Sequence, residues 1–245
     1  MEGTFSMQKK YVILFSVLIT LAMAAPAPGI AAAPDASCDD SDRICKEFKH
    51  LLETEHPEKI IAQYDPTLHY SEISLRYIGI AFLQLASKDD ITPEQEEHYY
   101  MKALEVKQYS AYMGLYFFYA DKDEEKALTF LREYAKTKPD DPVPYAILGK
   151  SELNRKHYDL ADSYLREAKK VAHGYSPRVD WMLFQANYLL QHYQFASEMF
   201  ESVVAQGGFD KEIKAMTRDP RFEGIEKRPE FERYHGMLNA LKTSN

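Results

Sequence analysis

Cysteine and tryptophan are nearly missing from this sequence. Its 245 residues hold only Cys38 and Cys45, and Trp181 stands alone. Two cysteines allow one internal disulfide at most, which excludes a cystine-dense scaffold. With no Cys-x-x-Cys and no histidine beside either, a thiol metal or redox centre has no framework. Beyond the first 25 residues no apolar run approaches the roughly 20 residues that span hydrocarbon. Basic charge is also short: 30 Lys and Arg face 38 Asp and Glu, a formal net charge of −8. An acidic body repels phosphate backbones and argues against nucleic acid as a partner.

Catalytic signatures are equally scarce. There is no Gly-x-Ser-x-Gly, no His-Glu-x-x-His, no phosphate-binding glycine loop and no Gly-x-Gly-x-x-Gly. The eight histidines are scattered, and none lies three or four residues from another. Glu94, Glu96, Glu97 and His98 stand close together, but they open a helix, where acidic residues are favoured by its dipole. Asp39-Asp40-Ser41-Asp42 has the start of a calcium loop yet lacks the glycine and the bidentate glutamate that such a loop needs. Asp42 is better read as a helix N-cap. No metal, no cofactor and no catalytic residue is expected.

The N-terminus carries an export pattern. Lys9 and Lys10 form a basic start, and an apolar stretch runs from Tyr11 to about Leu21, followed by small residues and prolines. Residues 1–33 are therefore expected to be a signal peptide, cleaved after about Ala24 or Ala31. The competing reading is an uncleaved anchor, but Tyr11 to Ala25 falls short of a span. The mature chain is expected to be periplasmic or secreted, with no membrane span. In an oxidising compartment Cys38 and Cys45 would pair, and free thiols are the alternative. A loop this small would stabilise by about 2 kcal/mol.

What the sequence has in abundance is periodicity. Gly79, Gly114 and Gly149 are 35 apart, with Phe184 at the next step. Each follows an apolar residue: Ile78, Met113, Leu148 and Leu183. Four residues on come Leu83, Phe118, Leu153 and Tyr188. A second series, Ala127, Ala161 and Ala196, is followed four residues later by Leu131, Leu165 and Phe200. Small residues let paired helices approach, and large apolar ones fill the groove between neighbours. Prolines 93, 139, 142, 144 and 177 fall where helices restart.

These positions resemble the tetratricopeptide consensus, with the clearest match at Tyr145-x-x-Leu148-Gly149, Tyr158, Ala161, Leu165 and Ala168. The slightly long period is also similar to Sel1-like repeats. The resemblance implies an all-α, TPR-like α-solenoid of antiparallel helix pairs wound as a right-handed superhelix. Four pairs are expected within 72–209, after capping helices in 34–71. Residues 210–245 are expected to cap the other end, because Asp219-Pro220-x-Phe222 returns as Arg228-Pro229-x-Phe231. That doublet is similar to a motif ending many bacterial arrays, with proline starting a short helix and phenylalanine plugging the last apolar face. Phe184, standing where glycine is usual, is expected to hold its two helices further apart.

In such arrays the first helix of each pair lines the concave surface, where peptides lie. Carried onto this chain, the resemblance implies a groove with Arg76 from the first pair and Lys150 and Asn154 from the third. The fourth pair adds Arg178, Trp181, Gln185 and Tyr188. In the second pair Tyr109, Tyr112, Tyr116 and Tyr119 form a stripe, although Ala111, Leu115 and Phe118 make the better core face. Aromatics and cations on an acidic protein suit a protein or peptide with a carboxylate end or acidic side chains. A glycan- or muropeptide-binding, cell-wall-associated role is the alternative. An enzyme would need a catalytic domain for which the repeats leave no room.

Overall fold

The computed structural model describes residues 38–39, 41–173 and 176–243. The expected signal peptide, residues 1–33, lies outside them. Every regular element among the described residues is helical. Two short helices, α1 (Arg43–Glu53) and α2 (Pro57–Gln63), come first. Four pairs follow: α3 (Glu72–Ala86) with α4 (Pro93–Glu105), α5 (Ala111–Tyr119) with α6 (Glu124–Thr137), α7 (Pro142–Asn154) with α8 (Tyr158–Val171), and α9 (Pro177–Leu189) with α10 (Tyr193–Gln206). Then come α11 (Asp210–Thr217), three 3-10 segments (Pro220–Phe222, Ile225–Lys227, Pro229–Tyr234) and α12 (His235–Thr243). Among the described residues this is an all-α succession of helix pairs. No described helix is long and apolar enough to cross a membrane.

The helices begin where the residues can satisfy free N–H groups. Thr92 and Gln95 form a reciprocal capping box at α4. Asp141 accepts from the Val143 N–H at 2.9 Å ahead of α7. Pro93, Pro142 and Pro177 sit in first turns, where a missing N–H costs nothing. Asp42 caps α1 by accepting from the Cys45 N–H at 2.9 Å, and Ser71 donates to its other oxygen at 2.6 Å. Those bonds hold the Asp42 carboxyl below the ordinary carboxylate range, the Ser71 bond first. Cys38 and Cys45 are joined, with Cα atoms 5.6 Å apart, tying the incoming chain to α1.

The turns share a device that the apolar spacing does not announce. Glu55, Lys107, Lys156 and Gln191 adopt φ between 60° and 65°. The next residue's N–H reaches back to a carbonyl five positions earlier: His56 to Leu51, Gln108 to Ala103, His157 to Glu152, His192 to Asn187. This is the left-handed helix stop usually built on glycine, here repeated with side-chain-bearing residues.

The described residues divide into two compact units, one up to Phe130 and one from Leu131. In the first, α1 and α2 pack on α3, α3 pairs with α4, and α4 meets α5. Phe48, Ile60, Ile78, Phe82, Tyr100, Leu115 and Phe118 build one core. Ala111, Leu115 and Phe118 are the buried face of α5. Tyr119 is buried too, and its hydroxyl donates to Glu97, which also takes Lys126. The Tyr119 bond is the main cause that holds the Glu97 carboxyl below its usual range. A lowered carboxyl contributes stability above the unfolded-state pKa and loses it as pH falls through the folded value.

In the second unit α7 pairs with α8, α9 pairs with α10, and α9 lies back on α8 and α7. A Cβ added at Gly149 would sit 2.6 Å from Leu165 Cγ and 3.3 Å from the Ala161 carbonyl oxygen. The helices therefore approach too closely there for any side chain. Gly149→Leu should cost about 1–3 kcal/mol through overpacking, read as a fall in Tm. An unchanged Tm would show that α7 and α8 are not packed this tightly.

Candidate functional site

The residues expected to line a groove fall in both units. Arg76, Tyr109, Tyr112 and Tyr116 belong to the first; Lys150, Asn154, Arg178, Trp181, Gln185 and Tyr188 belong to the second. In the first unit Arg76 is exposed on α3. Tyr109 precedes α5, is 36% exposed and stacks on Tyr112 with centroids 6.4 Å apart and planes within 5°. Tyr112 leans on Phe130, and Tyr116 meets Phe117 edge-on. Burial is the first cause that raises the Tyr116 hydroxyl above its ordinary pKa. Only Tyr109 of this stripe presents much of its ring.

The second unit corrects the expected groove at two positions. Trp181 and Tyr188 are each 5% exposed. Trp181 lies against Phe184 and Phe209, while Tyr188 lies against Phe222 and Phe231. The Tyr188 hydroxyl accepts from Arg228 Nε at 3.3 Å. These rings are core, because the chain's own C-terminal segment folds over that face of α9. The apolar end of a helical array has to be covered, and large rings are what a cap buries. Phe184 follows the same logic. It is fully buried, with its ring 5.1 Å from Phe200 and 5.7 Å from Phe222, so its bulk fills the cap as well as the α9–α10 interface.

What stays open is polar. Lys150 and Asn154 are exposed one turn apart on α7, and Gln185 is half-buried on α9. Asn154, Gln185 and Arg221 share a small hollow of about 60 Å³, floored by Leu153, Leu189 and Phe222. Arg221 grips Asp219 with Nε at 3.0 Å and Nη2 at 2.6 Å, so its charge is largely answered. That grip is the first cause holding the Asp219 carboxyl below its normal range. The hollow thus offers two carboxamides, each a donor and an acceptor. Arg178 stands two turns before Gln185, exposed, and lies 3.6 Å from Glu212. A surface pair of that length is weak and easily exchanged.

A polar ladder that periodicity could have flagged runs behind this face. Glu152 and Asn187 are 35 apart and both buried, and the exposed His157 and His192 are 35 apart as well. His157 Nδ1 lies 2.8 Å from Glu152, and His192 Nδ1 lies 3.4 Å from Asn187. Arg132 reaches Glu152 at 3.6 Å and Arg166 reaches Asn187 at 3.5 Å. Each set links a preceding helix, the next first helix and its turn. These groups are mutually satisfied, which marks them as a positioning frame for α7 and α9.

No protein-family model matches this chain, and no curated protein does. A solved structure from the functional characterisation of Pseudomonas aeruginosa pilF is similar at 17% identity and a TM-score of 0.47. The match covers 83% of this chain and 92% of that one.

Proposed function

We propose that this chain is an exported, non-enzymatic scaffold that binds an extended peptide segment of a protein partner, with an acidic or carboxylate-ended character. The observation that carries the reading is the meeting of Asn154 and Gln185 at one hollow between α7 and α9. Two carboxamides side by side match the alternating N–H and C=O groups of a peptide backbone. Lys150 and Arg178 flank them on the same two helices as exposed cations, suited to carboxylates. The export part rests on Lys9, Lys10 and the apolar run after them. N-terminal sequencing of the protein recovered from the producing cell's envelope tests it. An intact N-terminus in the cytoplasm would end that part of the reading.

The groove is tested by Lys150→Glu combined with Arg178→Glu. Both residues are exposed, so stability should move by no more than about 0.5 kcal/mol. Capture of the native partner should fall by about tenfold or more, since two charge-assisted contacts become repulsive. Undiminished capture by a folded double variant would sink the groove reading. The parallel rings of Tyr109 and Tyr112 favour a second reading, in which a glycan or muropeptide stacks on the first unit. Binding that resists added salt and is lost in Tyr109→Ala would select it, because stacking is screened far less than ion pairing.

A further inference from the structure

The two ends of the disulfide in the first unit meet different surroundings. Cys45 is fully buried in the first turn of α1, whereas Cys38 is only half-buried. Asp42 lies inside the loop that the bond closes, and its two carboxylate oxygens join two helix starts. One accepts from the Cys45 N–H at 2.9 Å, and the other accepts from Ser71 Oγ at 2.6 Å. Ser71 is the N-cap of α3 and accepts from the Ser74 N–H at 3.2 Å. The disulfide and the caps of α1 and α3 are therefore one connected set. Beyond it, α1 is held by packing. Phe48 lies 6.3 Å from the Tyr70 ring, in a core shared with Ile78 and Phe82. The outer side of α1 is open, with Ile44, Glu47 and Lys49 exposed. A terminal helix covered on one side opens before the rest of a domain.

We propose that the Cys38–Cys45 bond is a redox latch on the N-terminal cap, opened by a dithiol reductant, after which α1 undocks from α3. A thiolate of the dithiol attacks Cys38 Sγ, the sulfur within its reach. The S–S bond breaks and its electron pair leaves on Cys45 Sγ. The second thiolate of the dithiol then displaces Cys38 Sγ from the mixed disulfide. Two electrons and two protons pass to the protein, which ends with two thiols, and the reductant leaves as its own disulfide. The closed loop that held Asp42 between the two helix starts is then gone. All of that loop belongs to α1 and the chain entering it, so its loss falls on the opening of α1 and spares the second unit. Opening takes Phe48 out of its core and leaves the apolar end of the first unit open to water. The latch shares no residue with the peptide groove and stands independently of it.

The test compares the full mature chain, oxidised, with the same chain held in excess dithiothreitol without denaturant. Thiol alkylation counts the open sulfurs, and amide hydrogen exchange reads each helix. Both cysteines should become alkylated while the protein stays folded. Exchange over residues 46–53 should quicken about thirtyfold, the equilibrium equivalent of the lost loop closure. Exchange in α9 and α10 should stay as it was. Cys38→Ser combined with Cys45→Ser should show the quickened exchange with or without dithiothreitol, which separates the bond from any other action of the reagent. Three results each overturn the proposal: thiols that appear only when urea unfolds the chain, equal exchange of α1 in both states, or equal acceleration across both units. Should the double variant lose helical circular dichroism, Cys38→Ser alone takes its place under the same criteria.

Discussion

Lys169→Met should destabilise the second unit by about 3–5 kcal/mol, among the largest effects of any single substitution here. Asp180, on α9, is 1% exposed and holds two partners: Lys169 Nζ from α8 at 2.5 Å and Ser202 Oγ from α10 at 2.6 Å. The carboxylate thereby ties three helices at a point where water does not reach. Methionine keeps the stem of lysine and removes the charge, so Asp180 stays buried with only the serine to answer it. The loss is that uncompensated charge, and it exceeds what the pair contributes over an apolar replacement. Urea titration of the mature chain measures it through the midpoint at constant slope. Combining Lys169→Met with Asp180→Leu and Ser202→Ala should recover most of the stability. A single variant as stable as the parent would show that Asp180 is hydrated in solution.

Phe184→Ala should cost about 3–5 kcal/mol, since a fully buried ring leaves a cavity that its neighbours can only partly close. The ring touches Phe200 on α10, Phe222 and Phe231 of the C-terminal segment, and Trp181 and Tyr188 on its own helix. Its removal takes the centre from the cluster that holds the cap. Trp181 is the only tryptophan and lies 6.0 Å from Phe209, so its emission reports on this region alone. Alanine at 184 should lower Tm and shift that emission to the red as water enters. A fall in Tm with unshifted emission would place the damage in the α9–α10 interface and leave the cap seated.

Much of the fold was legible because its physics is local and periodic. A helix pair must bury one face, so apolar residues recur at helical spacing within a pair and at 35 between pairs. Gly149 was readable for the same reason: only a residue without a side chain fits 2.6 Å from Leu165. Capping residues such as Asp42, Thr92 and Asp141 announce helix starts through backbone chemistry that needs no distant partner. The four left-handed turn residues were silent, since Glu, Lys and Gln carry no conformational signature of their own.

The candidate site was less legible, and Trp181 and Tyr188 show why. Helical projection places them with Arg178 and Gln185 on one face of α9, and the sequence alone determined that shared face. Whether the face meets solvent or a lid depends on a segment more than twenty residues away in the chain. The tertiary structure decided this by laying Phe209, Phe222 and Phe231 across it, leaving only the more polar positions at the edges exposed. The same holds for charge. The sequence determined that acidic residues outnumber basic ones, because formal charge is a count. Only packing decided that Asp180 would be answered by Lys169 and Ser202, because pairing needs atoms within about 3 Å of one another.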